Sequence, residues 1–304
     1  MKNVCTVLYL VFAGVYSTVI ELNTNQEGHF LISLRVVGAS GVPLIVPLIH
    51  PLGEGLGERR RYNGEYLNIT TANTESLITQ NLLSGIPARP EDFIPIGFRS
   101  VFATDFARTY MMIPMHRQLV INPENPRTFV YESMLALTRS ASDEYPQVRV
   151  SVSILNTAQG DTFVPSASVD AAEIHEYLLA TVDLGDFVPS SIIRALCDEI
   201  RRRQISYDPV YGFDGTIRGF DIIGDLSDEV IDTLPIVQYR IHTDSGNYVN
   251  IALDGRDYIG PLDGGIRELL LFSGDVYAFG LNTLSKVALY IDNSNKTIGF
   301  GEPL

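Results

Sequence analysis

Apolar and polar residues alternate along much of the chain, and this pattern predicts strands. Residues 28–37, 148–154 and 248–253 have a period of two, which places successive side chains on opposite faces of a sheet. Glycine-rich turns such as Gly38-Ala39-Ser40-Gly41 separate the alternating segments. The 15 Tyr and 14 Phe, together with many Val, Ile and Thr, favour the same structure. The pattern therefore predicts an all-β protein.

Apolar residues recur at helical spacing in two segments. After the start signal Pro189-Ser190, residues 192–203 carry one apolar helix face. That face contains Ile192, Ile193, Leu196 and Ile200. Residues 128–138 have Phe129 and Leu135 at helical spacing, which predicts a second helix. We therefore expect a few short helices in addition to the strands.

Length and charge limit the possible architectures and partners. The 304 residues, of which 45% are hydrophobic, are enough for one large domain or for two lobes with their own cores. The formal net charge of −14 repels phosphate backbones, so we expect no nucleic-acid partner.

The first 17 residues have the pattern of a secretory signal peptide. Lys2 supplies the positive start, residues 4–15 are apolar, and Val15-Tyr16-Ser17 offers small residues at plausible cleavage positions. The apolar run is too short to cross a bilayer comfortably, and no later run is long enough. We therefore expect a secreted protein with no membrane span.

Cysteines and glycosylation sequences fit that expectation. Cys5 lies in the predicted signal peptide, so Cys197 has no partner for an internal disulfide, and we interpret it as a small buried apolar residue rather than a nucleophile. Asn68-Ile69-Thr70 and Asn295-Lys296-Thr297 are glycosylation sequences, which matter only in a eukaryotic secretory pathway and also occur by chance.

One stretch carries candidate chemistry. An apolar run brings a single acid into a glycine turn, Val182-Asp183-Leu184-Gly185, just before the helix start. This stretch resembles the second catalytic loop of the pepsin-like aspartic proteases, in which Asp-Thr-Gly lies between a strand and a helix; here Leu184 stands at the threonine. Residues 234–241 and 287–300 also resemble that family's strands, and the terminal segment, residues 287–300, is the most specific match.

The resemblance implies a bilobal all-β fold with a few short helices and a central cleft. It places the N-terminal lobe at residues 18–158 and the C-terminal lobe at residues 159–304. In the family, two carboxylates at the lobe junction share a proton, and the pair activates water for peptide hydrolysis. The resemblance makes Asp183 one of these two acids.

The other acid is absent from its expected position. Where the family has its first Asp-Thr-Gly, this chain has Ile49-His50-Pro51, and the nearest carboxylate, Glu54, follows a proline and a glycine. The segment that corresponds to the flap, a hairpin over residues 66–77, is also altered. Thr71, Ala72, Asn73 and Thr74 replace the flap's tyrosine and its Gly-Thr-Gly tip.

Three other acids are candidates for the partner of Asp183. Asp244-Ser245-Gly246 lies between two alternating segments and has the composition of a hairpin turn, and Asp214 is likewise interpreted as a turn residue. Asp186 is interpreted as a loop acid or as a charge near the helix end.

The histidines leave one open question and suggest no metal site. His50 either pairs with Asp183 across the cleft or is an incidental loop residue. The five histidines show no metal-ligand spacing, so we expect no metal and no other cofactor.

Three hypotheses about function follow. The first is a secreted, degenerate pepsin-like protein without proteolytic activity that binds a peptide or protein partner in its cleft. The second is an active but atypical aspartic endopeptidase that uses Asp183 as one catalytic acid. The third is a structural or interaction protein that uses an outer surface. We expect a monomer in each case.

Overall fold

The structure of the chain is a computed structural model. It describes residues 18–24, 30–37, 43–49, 67–71, 74–78, 94–95, 108–130, 136–142, 146–156, 164–165, 173–179 and 185–304. The predicted signal peptide, residues 1–17, lies outside the described residues.

Short strands make up most of the described chain before residue 170. They are β1 (Thr18–Glu21), β2 (Asn23–Thr24), β3 (Phe30–Val37), β4 (Pro43–Ile49), β5 (Leu67–Thr71), β6 (Thr74–Ile78), β7 (Ile94–Pro95), β8 (Thr109–Ile113), β9 (Gln118–Ile121), β10 (Ala136–Arg139), β11 (Gln147–Asn156) and β12 (Val164–Pro165). Two 3-10 helices, Pro114–His116 and Pro126–Phe129, interrupt them. The strands predicted over residues 28–37 and 148–154 are confirmed as β3 and β11.

The described residues of the second half add further strands and four short helices. The strands are β13 (Ile174–Leu179), β14 (Asp186–Val188), β15 (Tyr207–Tyr211), β16 (Ile217–Ile223), β17 (Ile236–His242), β18 (Tyr248–Leu253), β19 (Ile259–Asp263), β20 (Ile266–Leu269), β21 (Leu271–Ser273), β22 (Tyr277–Phe279), β23 (Ala288–Asp292) and β24 (Thr297–Gly301). The helices are α1 (Ser190–Arg202), α2 (Asp228–Asp232), α3 (Gly255–Tyr258) and α4 (Leu281–Leu284). The predicted helix after Pro189 is confirmed as α1, and the predicted terminal hairpin as β23 and β24.

Within the described residues the strands form four sheets. One runs β1-β9-β8-β23-β24-β10, so the C-terminal hairpin lies among strands from the first half of the chain. A second runs β18-β17-β11-β13-β22-β14-β21, with β12 beside β11. A smaller sheet runs β15-β16-β20-β19, and the fourth runs β6-β5-β3-β4-β7, with β2 beside β3.

The predicted helix over residues 128–138 is wrong where the structure describes it. Thr128 and Phe129 end a 3-10 helix that Asn125 caps, since its side chain accepts a hydrogen bond from the Arg127 amide at 3.1 Å. Residues 136–139 form β10, which pairs antiparallel with β24. Pairing with a strand from the far end of the chain thus outweighs the local helical spacing, because tertiary contacts routinely override weak local preferences.

The core is continuous between the first two sheets. Tyr110 and Met112 of β8 are buried in the large cluster that also contains β11 and β17, whereas Met111 and Ile113 pack on the opposite face of the same sheet. A strand buried on both faces needs apolar residues at consecutive positions. The apolar face of α1 packs against β11, β16 and β21. In the described part of the chain, no helix has the length and apolar character that a membrane crossing requires.

The predicted lobe boundary between residues 158 and 159 stays a prediction. β11 precedes that boundary, yet it pairs with β13 and β17, which both follow it. These ladders place β11 in the same sheet as the strands expected for the C-terminal lobe.

Candidate functional site

The structure fixes both ends of the loop that carries Asp183. Residues 180–184, Asp183 included, lie outside the described residues, but β13 ends at Leu179 and β14 begins at Asp186. β22 lies between these two strands, parallel to β13 and antiparallel to β14. The loop therefore joins two strands that flank a third.

Gly185 is required by a close backbone approach. A Cβ atom built on it would lie 2.5 Å from the Leu270 carbonyl oxygen and 2.7 Å from a ring carbon of Phe272. The next amide, of Asp186, donates to the same Leu270 carbonyl at 3.0 Å. The glycine thus lets the loop end lie directly against β21.

Asp186 is buried, and the prediction that it is a loop acid or a helix-end charge is wrong. It is the first residue of β14, its exposed fraction is 0%, and α1 begins four residues later. The Gly280 amide donates to its Oδ1 at 2.5 Å, and the Tyr239 and Thr283 hydroxyls donate to its Oδ2 at 2.6 and 2.5 Å. One carboxylate therefore connects β14 to β17 and to the beginning of α4.

Burial and hydrogen bonding act on this carboxylate in opposite directions. Removal from water raises the pKa of Asp186 to about 6, although the hydrogen bonds from Thr283, Tyr239 and Gly280 favour the charged form and lower it. The Asp186 charge in turn adds to burial in raising the pKa of Tyr239. The site can thus exchange a proton under mildly acidic conditions.

Three aromatic rings pack together beside Asp186, and one of them belongs to its donor Tyr239. The Tyr177 ring lies 5.9 Å from that of Tyr239 and 5.0 Å from that of Phe279, and the Tyr239 and Phe279 rings meet edge to face at 5.2 Å. The Tyr177 hydroxyl is buried and has no hydrogen-bond partner in the described structure. The sequence signal for this cluster is weak: it consists of an acid directly before an apolar strand, and the donors come from segments more than fifty residues away.

The first half of the chain contains a corresponding arrangement of strands. β4 ends at Ile49 and pairs in parallel with β7, with Leu48 opposite Ile94 and Ile49 opposite Pro95. β13 pairs in parallel with β22 in the same way. His50 and Pro51 lie outside the described residues, so the predicted His50–Asp183 pair stays a prediction.

The flap-like segment is a hairpin. β5 and β6 pair antiparallel from Leu67 opposite Ile78 to Thr71 opposite Thr74. Thr71 and Thr74 are thus the last paired residues, and Ala72 and Asn73 between them lie outside the described residues.

The turn interpretations of the other acids are confirmed. Asp244 lies in the turn between β17 and β18, where the Gly246 amide donates to the Thr243 carbonyl at 3.0 Å. Its carboxylate accepts hydrogen bonds from the Arg139 amide at 2.7 Å and the Thr138 hydroxyl at 3.2 Å, so it ties this turn to β10. Asp214 lies in the β15–β16 turn and accepts from the Thr216 amide and hydroxyl.

Cys197 is buried on the apolar face of α1, and burial raises the pKa of its thiol to about 11. This agrees with its interpretation as a small apolar residue.

Among the described residues, no group of His, Cys, Asp and Glu side chains could hold a metal ion.

Asn295 is exposed in the β23–β24 turn, and its side-chain amide donates to Asp292 at 2.7 Å. Asn68 lies in β5.

Comparison with known proteins identifies the fold. No protein-family model matches the chain, and no curated protein matches it. Among solved structures, basic 7S globulin from soybean is similar: the match covers 94% of this chain and 96% of that chain, with a TM-score of 0.57 and 12% sequence identity. That protein has the pepsin-like fold. The all-β, bilobal pepsin-like fold predicted from the sequence is therefore confirmed, and at this identity the similarity concerns the fold alone.

Proposed function

We propose that the protein is a secreted, pepsin-like protein that does not cleave peptides and that binds a peptide or protein partner in the cleft between its lobes. One observation carries the proposal: neither half of the chain has an Asp-Thr-Gly motif. The first half reads Ile49-His50-Pro51-Leu52-Gly53-Glu54 at the corresponding strand end, and the second half reads Asp183-Leu184-Gly185. Both carboxylates of the dyad are needed, because one acts as base while the other supplies a proton.

The surroundings of Asp183 support a retained scaffold with altered chemistry. Gly185 and Asp186 anchor the loop end by backbone approach and by three buried hydrogen bonds. A chain that still holds this loop end, while lacking the Asp-Thr-Gly motif in both halves, is suited to hold a ligand rather than to hydrolyse it.

The first experiment measures peptide hydrolysis. The purified protein is incubated with an unfolded protein substrate at acidic and at neutral pH, and the products are identified by mass spectrometry. We expect no cleavage above that of Asp183→Ala, with the exposed Asp263→Ala as the matched control. Cleavage that disappears both in Asp183→Ala and with a pepstatin-type inhibitor contradicts the proposal.

The second experiment measures cleft binding. A statine-containing peptide, which mimics the tetrahedral intermediate of peptide hydrolysis, is titrated into the protein by calorimetry together with an ordinary peptide of the same side chains. A cleft that binds without catalysis should not prefer the statine peptide. A preference of several orders of magnitude for it would instead indicate a working dyad.

A second candidate function, an atypical aspartic endopeptidase, is favoured by the strand register. Residues 94–98 read Ile-Pro-Ile-Gly-Phe, and residues 277–281 read Tyr-Ala-Phe-Gly-Leu. When the glycines of these two segments are aligned, Pro95 corresponds to Ala278. The strand partner of Pro95 is Ile49 and that of Ala278 is Leu178, so Ile49 corresponds to Leu178. Asp183 is the fifth residue after Leu178, and the fifth residue after Ile49 is Glu54. Glu54 is therefore the acid to test as the partner of Asp183. Cleavage that is lost in both Glu54→Gln and Asp183→Asn supports this candidate. Cleavage that is retained in Glu54→Gln excludes Glu54 as the partner acid, and the absence of cleavage in the wild type excludes the endopeptidase.

Secretion is part of the proposal and has its own test. Cleavage after Ser17 would leave intact β1, which begins at Thr18 and pairs with β9. When the full chain is expressed in eukaryotic cells, we expect it in the medium, with an N-terminus near Thr18 and with a mass that decreases after glycosidase treatment if Asn68 or Asn295 carries a glycan. Retention inside the cells with an uncleaved N-terminus contradicts secretion.

A further inference from the structure

Cationic side chains cluster on the outer face of the sheet that contains β11 and β17. The two strands alternate, so that Val150 and Ile241 are buried while Arg149, Arg240 and His242 lie on the opposite face. Val150 is opposite Ile241 in the ladder, which makes Arg149 a cross-strand neighbour of His242. We call Arg149, Arg240 and His242 the basic patch.

Two polar residues complete the basic patch. The Ser151 hydroxyl, directly opposite Arg240 in the ladder, lies 3.1 Å from Nε2 of His242. On the next strand, the Tyr248 ring meets the His242 ring edge to face at 5.0 Å, and the Arg240 guanidinium carbon lies 5.0 Å from the centre of the same ring. Tyr248 thus contacts both Arg240 and His242, while the buried Ser151 hydroxyl forms a hydrogen bond with His242.

The positive charges of the basic patch are not neutralised within the described structure. Neither arginine forms an ion pair with a described residue, although Glu176 is opposite Arg149 in the β11–β13 ladder. Asp244, two residues after His242, accepts its hydrogen bonds from β10 instead.

The clustering of these like charges has an energetic cost. Desolvation lowers the pKa of His242, and the charges of Arg149 and Arg240 lower it further, which means that both guanidinium groups act on this ring. Like charges on neighbouring strands are destabilising, and a bound anion would offset that cost.

We propose that the basic patch binds a phosphate or sulfate group carried by a small ligand. Guanidinium groups present N–H donors in a fixed fork that matches tetrahedral oxyanions. A long polyanion is disfavoured because the chain as a whole has a formal net charge of −14 and would repel its remaining charges. The site is on an outer sheet face and is independent of the function proposed for the cleft.

The test titrates the intact protein with inorganic phosphate, inorganic sulfate, methyl phosphate and methyl sulfate, with chloride as the reference anion. We expect saturable binding by calorimetry and a shift of the His242 ring resonances by NMR. Arg149→Gln and Arg240→Gln should each weaken binding about tenfold or more, because each removes a charge-assisted hydrogen bond. Arg194→Gln on α1, whose guanidinium bonds only to Ser190 in the described structure, is the matched control and should bind like the wild type.

Binding of either ester supports the proposal, and the tighter of the two identifies the group that the ligand carries. Affinity for sulfate and methyl sulfate, whose charge does not change in this range, should also rise as pH falls through the His242 titration, since the protonated ring adds a third charge. If the His242 resonances do not move at high phosphate and sulfate concentrations in the wild-type protein, the proposal is overturned without reliance on any variant. Equal affinity in wild type and Arg240→Gln, or no preference over chloride, overturns it as well.

Discussion

Replacing Asp186 by Asn tests how the protein holds a carboxylate in its core. The substitution preserves the size of the side chain and removes its charge. Gly280 and the two hydroxyls of Tyr239 and Thr283 all donate to this group, and the carboxyl group is completely buried. Asn cannot titrate, so a comparison of wild type and variant isolates the proton that Asp186 binds.

The structure gives the sign and the size of the effect. The pKa of Asp186 is about 6 in the folded protein against an ordinary value of 3.8. The folded state therefore binds the proton at a higher pH than the unfolded state, and acidification stabilises the wild type until the unfolded state is protonated too. The free energy of unfolding of the wild type minus that of Asp186→Asn should rise by about 2 kcal/mol between about pH 7 and about pH 4.

Urea unfolding followed by far-ultraviolet circular dichroism is the suitable assay, because the chain has no Trp. Asp263→Asn, at an exposed position of β19, is the matched control for the removal of one carboxylate. If the difference instead shrinks as the pH falls, the three hydrogen bonds outweigh burial, the pKa of Asp186 lies below its ordinary value, and the reasoning is refuted.

Three further predictions concern the same half of the protein. Gly185→Ala should lower the free energy of unfolding by about 1–3 kcal/mol or more, because its Cβ would overlap the Leu270 carbonyl. Gly219→Ala is the control and should cost less, since its Cβ would meet only ordinary van der Waals contacts. Thermal unfolding of the two variants measures the difference. Asp244→Ala should lower the free energy of unfolding by about 1 kcal/mol, because it removes the hydrogen bonds between the Asp244 carboxylate and β10. Peptide cleavage and peptide binding should stay as in the wild type. A change in either would restore Asp244 as a catalytic candidate. Cys197 should react with a disulfide reagent only in urea, as peptide mapping would reveal, and rapid reaction of the native protein would contradict its burial.

The Asp186 hydrogen bonds also bear on the two functional candidates. The carboxylate connects the end of the Asp183 loop to β17 and α4, so its protonation is expected to affect how firmly that loop end is held. If the protein proves to be a protease, the pH profile of Asp186→Asn will separate this positioning effect from the titration of the catalytic acids. If it proves to be a binding protein, peptide affinity should depend on pH in the wild type more than in the variant.

Local patterns were sufficient wherever one short segment defines an element. The alternation over residues 28–37 and 148–154 predicted β3 and β11, and the composition of Asp244-Ser245-Gly246 predicted a turn. The helical face after Pro189 predicted α1. In each case the period of the apolar residues or the chemistry of the turn is contained in the segment itself.

The helix over residues 128–138 could not be predicted correctly from its own residues. Its apolar spacing fits a helix, but β10 pairs with β24, which lies about 160 residues later in the chain. The competing strand contributes a full ladder of backbone hydrogen bonds, and no local pattern contains that information.

The sequence by itself determined the strand-rich architecture, the resemblance to the pepsin-like fold and the absence of an Asp-Thr-Gly motif from both halves of the chain. Only the tertiary structure decided that Asp186 is a buried carboxylate with three donors and that Arg149, Arg240 and His242 share one sheet face. The physical reason is the same for both. Periodicity fixes which face of an element is apolar, whereas the neighbours of a charged side chain depend on which distant strands pair with it and in which register.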